Sequence, residues 1–208
     1  MKSICRFCLY IFIALFLFPF SAYTQASGKK FVVVIDAGHG GKDPGAIGRI
    51  IREKNINLGI ALKLGALIRE NHPDVKVVYT RDRDIFVELQ QRANIANRVK
   101  ADLFISIHTN SATNRSAYGT ETYKRYEGFD PNSTESYIMF EFLQDKHLEQ
   151  SINLASSIQR QFKNLAKRVD RGVRQAGFLV LRNTGMPSVL IEVGYISNRN
   201  EEAYLASE

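Results

Sequence analysis

The chain has 208 residues, 45% hydrophobic and 24% charged, proportions ordinary for a globular protein and enough for one domain with a sizeable core. Its formal charge is +7, but the Lys and Arg residues are dispersed and carry no recognisable binding motif, which sets nucleic acid aside as a partner. The cysteines are Cys5 and Cys8 alone, and both precede the expected folded region, which excludes a disulfide framework and a Cys-ligated metal there.

The first 26 residues read as a secretory signal peptide, leaving residues 27–208 as the folded domain. Lys2 and Arg6 give a positive start, Leu9 to Phe20 is an apolar run, and the small residues up to Ala26 offer a cleavage site. The run is short for a bilayer-spanning helix, so the mature chain is expected to be exported to the periplasm or cell envelope without a transmembrane segment. Cleavage would remove Lys2 and Arg6 and no acid, taking two charges from +7 and leaving +5. A moderately basic exported protein suits an anionic polymer such as a cell wall, or an acidic membrane surface.

Strands and helices then alternate. Phe31 to Ile35 is a β-branched and aromatic run that reads as a strand buried on both faces and leads into Asp36-Ala37-Gly38-His39. Apolar residues at helical spacing predict a helix from about Asn55 to Asn71, with Glu53 at or just before its start. Val75 to Tyr79 is a strand, Glu88 to Arg98 a helix, and Leu103 to Ile107 a buried strand that delivers His108. Gly119 to Tyr123 is a further strand. Glu127 to Gln150 is a polar and aromatic stretch, and Ile152, Ala155, Ile158, Phe162 and Leu165 trace a helical face. Phe178 to Leu181 and Ser188 to Val193 read as closing strands, separated by a turn through Gly185 and Pro187. This pattern predicts a single α/β domain, a mostly parallel twisted sheet of about six strands with helices on both faces.

Three residues in this frame have metal-ligand chemistry. Two imidazoles, His39 and His108, with the carboxylate of Glu53, suit Zn²⁺ and leave a fourth position for water. Both histidines follow apolar strands, and in open α/β sheets ligands gather at the carboxyl ends of strands. Taken singly, each has a plainer reading: a loop histidine, a strand-end histidine, an acid favoured by a helix N-terminus. Glu192 interrupts the apolar run Val189-Leu190-Ile191, where an unpaired carboxylate is costly to bury. His72, before Pro73, reads as a helix-end residue, and His147, in Asp145-Lys146-His147, is more open because it lies in the stretch between strand and helix. Asp36 and Asn110 are candidates to orient His39 or shape the pocket, or are simple turn residues.

The motifs Val34-Ile35-Asp36-Ala37-Gly38-His39-Gly40-Gly41, Asp43-Pro44-Gly45-Ala46, Glu53, Ser106-Ile107-His108 with Asn110, and Ile191-Glu192-Val193-Gly194-Tyr195-Ile196-Ser197-Asn198 occur in this order. Together they resemble the zinc-dependent N-acetylmuramoyl-L-alanine amidases of the type 3 family, over about Lys30 to Asn198. The resemblance implies that His39, Glu53 and His108 bind one Zn²⁺ and that Glu192 is the catalytic glutamate. It further implies hydrolysis of the amide between N-acetylmuramic acid and L-alanine in peptidoglycan, in cell wall remodelling or daughter cell separation. Such hydrolysis needs a nucleophile at neutral pH, a stabilised oxyanion and a proton donor for the leaving nitrogen; a metal serves the first two and a carboxylate the third.

Arg171 and Arg174 are candidates to meet carboxylates of the stem peptide, and Asn110 to contact substrate. The Glu127 to Gln150 stretch falls where some family members carry a helix that blocks the zinc until a protein activator displaces it; ordinary packing through Tyr137, Phe140 and Phe142 is the first reading here, and partial gating by Glu135 or Glu141, if the segment folds over the site, is the alternative. The chain is otherwise expected to be a monomer. Tyr195 stands where phenylalanine is commoner. Relatives generally continue into a final helix after Ser197-Asn198, so the end at Glu208 predicts a truncated C-terminus and an uncovered sheet face. The competing functions are a wall-binding protein without turnover and a zinc peptidase that cuts within the stem peptide.

Overall fold

A computed structural model describes residues 29–125 and 135–207, apart from the side chains of 135–146. The expected signal peptide, the first part of the Glu127 to Gln150 stretch and the side chains of Glu135, Tyr137, Phe140, Glu141 and Phe142 lie outside the described residues, as does any gating by them. The elements are β1 (Val32–Ala37), α1 (Glu53–Asn71), β2 (Lys76–Tyr79), α2 (Leu89–Arg98), β3 (Leu103–Asn110), β4 (Thr120–Arg125), α3 (Glu135–Asn164), β5 (Asp170–Ala176), α4 (Leu179–Arg182), β6 (Ser188–Tyr195) and α5 (Arg199–Leu205).

The six strands form one sheet in the order β2-β1-β3-β6-β4-β5, parallel throughout except where β4 meets β6. The apolar runs of β1, β3 and β6 are continuous because these strands are covered on both sides. Alternation then divides their side chains. Val33, Ile35, Ile105, Ile107, Val189 and Ile191 pack under Ile56, Ile60 and Leu64 of α1 and Leu154, Ile158 and Phe162 of α3. Val32, Val34, Phe104 and Leu190 pack on the other face with Ala96 of α2 and Val180 and Leu181 of α4. The expected α/β architecture is therefore present, with helices on both faces.

Two expectations need correction. Phe178 to Leu181 is not a strand: Leu179–Arg182 is a short helix whose Val180 and Leu181 fill the second core. Four apolar residues fit a buried strand or a buried helical turn equally, and tertiary packing decides here. The strand lies just before it, at Asp170–Ala176, a polar edge strand with no apolar run to betray it. The segment of Arg171 and Arg174 is thus itself part of the sheet.

The second correction concerns the sheet face expected to be uncovered. A final helix does follow Ser197-Asn198, because Asn198 caps α5 by accepting hydrogen bonds from the amides of Asn200 (3.0 Å) and Glu201 (3.2 Å). Leu205 packs against the first core, so α5 adds to the cover that α1 and α3 give this face. No helix among the described residues is long and apolar enough to cross a membrane.

Candidate metal centre and active site

The topology brings β1, β3 and β6 side by side, and their carboxyl ends carry His39, His108 and Glu192. Glu53 opens α1 and completes the set from above the strand ends. Glu53 Oε1 lies 3.1 Å from His39 Nε2 and 3.0 Å from His108 Nδ1, and one ligand atom from each of the three residues falls within 4.8 Å of the others. Ligand atoms on a zinc tetrahedron with bonds of about 2.0–2.1 Å stand about 3.3 Å apart, a spacing that the two separations from Glu53 Oε1 already approach.

Every member is held from behind. The second oxygen of Glu53 accepts the Ala46 amide at 2.8 Å, while Oε1 also accepts from Asn57 Nδ2 and the Thr109 amide, both at 3.1 Å. Burial alone would raise the Glu53 pKa, but hydrogen bonds from His108 and His39 hold it well below the usual carboxylate range. His39 Nδ1 meets Asp43 Oδ2 at 2.8 Å, which turns Nε2 toward Glu53. Burial opposes charging of His39, yet Glu53 and Asp43 outweigh it and push its pKa up to about 9. The His108 ring lies across Gly38, where any Cβ would collide with the imidazole.

The His39 backbone has φ 62°, a left-handed conformation that is strained for a side chain of this size. Two buried arginines stabilise the loop. Arg92 donates to Ala37 O (2.7 Å) and His39 O (2.8 Å), and Arg81 donates to Ala37 O (2.8 Å) and Gly38 O (2.9 Å). Asp36 neutralises Arg92 at 2.8 Å and accepts from Ser106 Oγ at 2.7 Å. Burial pushes the Asp36 pKa up, but Arg92 with the Thr80 and Ser106 hydroxyls brings it below its ordinary value. Asp36 thus supports the His39 loop through Arg92, whereas the contact with the ring belongs to Asp43.

Glu192 faces His108 across the β3–β6 pairing, and its Oε2 is buried with no hydrogen-bond partner among the described residues. Burial pushes its pKa up to about 7, with His108 acting in the opposite sense and Glu53 and Glu121 adding to the rise. A carboxylate that exchanges protons near neutrality beside a metal-type cluster has the properties of a general acid and base.

Residues 33–208 match the family described as N-acetylmuramoyl-L-alanine amidase. The chain belongs to this family. It is 33% identical over 209 residues to N-acetylmuramoyl-L-alanine amidase AmiA of Escherichia coli, covering 88% of this chain and 72% of that protein. It is 39% identical over 176 residues to the uncharacterized protein YqiI of Bacillus subtilis, covering 85% of this chain and 75% of that protein. Among solved structures it resembles the catalytic domain of the amidase CwlV from Paenibacillus polymyxa, with a TM-score of 0.63 and 40% identity over 85% of this chain and 87% of that one. The protein is an enzyme of this class, and its peptidoglycan amidase activity follows from the family.

In this amidase the row of side chains continues beyond Glu192. Glu121 on β4 pairs with Glu192 in register and is almost completely buried. Its carboxylate accepts from Arg171 Nε (2.6 Å), Tyr123 Oη (2.8 Å) and the Tyr195 hydroxyl, and Arg174 Nε stands 3.3 Å away. Burial raises the Glu121 pKa, but Tyr195, Arg171 and Tyr123 outweigh it and keep the group ionised. The hydroxyl that distinguishes Tyr195 from the commoner phenylalanine is therefore spent on Glu121. Arg174 keeps 48% of its side chain exposed. Asn110 ends β3 with its side chain accepting the Ser111 amide at 2.7 Å, and its carbonyl accepts the Ile196 amide at 2.8 Å.

His72 is the C-cap residue of α1, and His147 sits in α3 with Nδ1 3.5 Å from Gln150; neither is part of the cluster. Sequence reasoning did not single out Glu121, Asp43, Arg81 or Arg92 as supports of the site. Arg92 left a signal, since it falls on the same helical face as Ala93 and Ala96 where a cation needs a buried partner.

Proposed function

We propose that this amidase is a zinc enzyme of the cell envelope, cutting the amide between N-acetylmuramic acid and L-alanine with one Zn²⁺ held by His39, Glu53 and His108. The observation that carries this reading is the convergence of two imidazoles on Glu53 Oε1, at 3.1 and 3.0 Å, while Glu53 Oε2 is fixed by the Ala46 amide. Two neutral nitrogens and one carboxylate suit zinc, and three protein ligands are the number that leaves a position for water.

Bound zinc supplies two things, a lowered pKa for its water, from about 16 toward 7, and polarisation of the scissile carbonyl. The protein's residues do the rest. Glu192 takes the proton of the attacking water and returns it to the leaving amine, a task suited to a carboxyl group that titrates near 7. Asp43 retains the proton on His39 Nδ1, so that Nε2 is the ligand. Arg174 and Asn110 contact the substrate, Arg174 through a carboxylate of the stem peptide. The N-terminal segment directs export, and the reaction serves wall remodelling or daughter cell separation.

Metal analysis tests the zinc reading. Chelation is expected to abolish peptidoglycan hydrolysis, and one equivalent of Zn²⁺ per chain to restore it. Full activity in metal-free protein would overturn it.

A further inference from the structure

Helix α5 places two adjacent glutamates in the interior, Glu201 at 5% and Glu202 at 2% exposure. Acidic residues suit the first turn of a helix, but that preference does not require burial. Buried carboxylates need specific partners, and these two find theirs in different segments of the chain.

Glu202 Oε1 accepts the backbone amides of Ile50 (2.7 Å) and Ile51 (3.3 Å), about 150 positions away in sequence. A side chain at Gly48 would collide with this carboxylate, so the turn is shaped around it. The same turn closes through Gly48 N to Ile51 O (3.0 Å) and the Ile47–Arg52 bridge. It then delivers the Ala46 amide to Glu53 Oε2 (2.8 Å) and the Ala46 carbonyl to Glu53 N (2.9 Å). Hydrogen bonds and the short backbone turn between them thus connect Glu202 to the proposed metal ligand Glu53.

Glu201 reaches the other half. Its Oε2 accepts from Arg168 Nη2 (2.5 Å), the Gly119 amide (3.2 Å) and the Tyr195 amide (3.3 Å). Gly119 immediately precedes β4, the strand of Glu121, and Tyr195 ends β6, the strand of Glu192.

We infer that Glu202 and Glu201 are positioning residues through which α5 sets the two halves of the catalytic centre, Glu202 fixing the 46–52 turn that presents Glu53 and Glu201 fixing the strand ends that carry Glu121 and Glu192. The inference rests on the proposed metal role of Glu53. It assigns separable effects to neighbouring residues: metal affinity to Glu202 and turnover to Glu201.

The test uses the full chain with the substitutions Glu202→Ala, Glu202→Gln, Gly48→Ala and Glu201→Gln. Zinc Kd is read by chelator competition, kcat at saturating zinc, and hydrogen exchange at the Ile50 and Ile51 amides. Glu202→Ala and Gly48→Ala are expected to weaken zinc about tenfold, within the range for groups that orient metal ligands, and to speed exchange at both amides. Glu202→Gln, which keeps an acceptor oxygen, is expected to recover most of the affinity. Glu201→Gln is expected to lower kcat at saturating zinc with Kd within twofold of wild type. A zinc Kd unchanged in both folded Glu202→Ala and Gly48→Ala overturns the inference, as does a loss in all variants that merely follows Tm. Failure of the metal reading is distinguishable, because wild-type protein would then bind zinc no more tightly than Glu53→Gln.

Discussion

Glu121 and Glu192 stand opposite each other across the antiparallel β4–β6 pairing, two carboxylates on one face of the sheet with opposite electrostatic fates. Glu121 is charge-balanced by Arg171 and Arg174 and accepts two tyrosine hydroxyls, whereas Glu192 has a buried oxygen with no partner among the described residues. One is kept ionised, and the other is pushed up to about 7. Environments that drive paired carboxyl groups apart in this way separate a fixed charge from a proton carrier.

Glu192→Gln should therefore abolish turnover while leaving the zinc Kd within a fewfold of wild type. It should also stabilise the metal-stripped protein in a pH-dependent way. The folded pKa of Glu192 lies above the ordinary 4.5, so the stability linked to its protonated form is complete below about 4.5 and lost as pH rises through about 7. At pH 8 the variant is expected to exceed wild type by up to about 3 kcal/mol in denaturant titrations, the gain fading toward pH 5. An equal gain at both pH values would contradict the assignment.

Glu121 has the opposite sign. Its pKa is depressed on folding, so its stabilisation is present above the unfolded carboxylate value and disappears as pH falls through the folded one. The destabilisation caused by Glu121→Gln should be largest at neutral pH and shrink in acid. Tyr195→Phe removes only one of several donors to Glu121 and should reduce kcat modestly; a complete loss would mean that this hydroxyl acts on the substrate itself.

The buried pair of Asp36 and Arg92 supports the His39 loop, and breaking such a pair from one side costs about 3–5 kcal/mol because a buried charge remains. Arg92→Met should therefore lower stability by that order and weaken zinc as well, since Arg92 also holds the His39 carbonyl. Calorimetry and metal titration read the two effects. Normal zinc affinity in the folded variant would show that the His39 loop does not depend on Arg92.

Metal binding should compete with protons. His39 is pushed up to about 9 by Glu53 and Asp43, and its ring must lose the Nε2 proton to ligate. Apparent zinc affinity is expected to fall about tenfold for each pH unit below 9 until a second group titrates. Asp43→Asn should weaken this dependence, and a pH-independent Kd between 6 and 8 would contradict the role of His39.

Much of this was legible from residue order alone. The runs at Phe31 to Ile35, Leu103 to Ile107 and Ser188 to Val193 announce buried strands, and strands of that kind place His39, His108 and Glu192 at one sheet edge. β5 was not legible, because an exposed edge strand needs no apolar run, and the short run at Phe178 to Leu181 satisfied two geometries until packing chose a helix. The supports of the site were the least visible. Glu121 meets Arg171 and Tyr195, and Glu202 meets Ile50, only after the sheet has assembled, and nothing local marks those residues as partners.

The most direct test is mass spectrometry of purified peptidoglycan digested by the zinc-loaded protein, with Glu192→Gln as the control. The expected result is release of stem peptides with a free L-alanine amine, intact glycan strands, and no release by the variant. Cleavage inside the stem peptide, or equal release by Glu192→Gln, would contradict it.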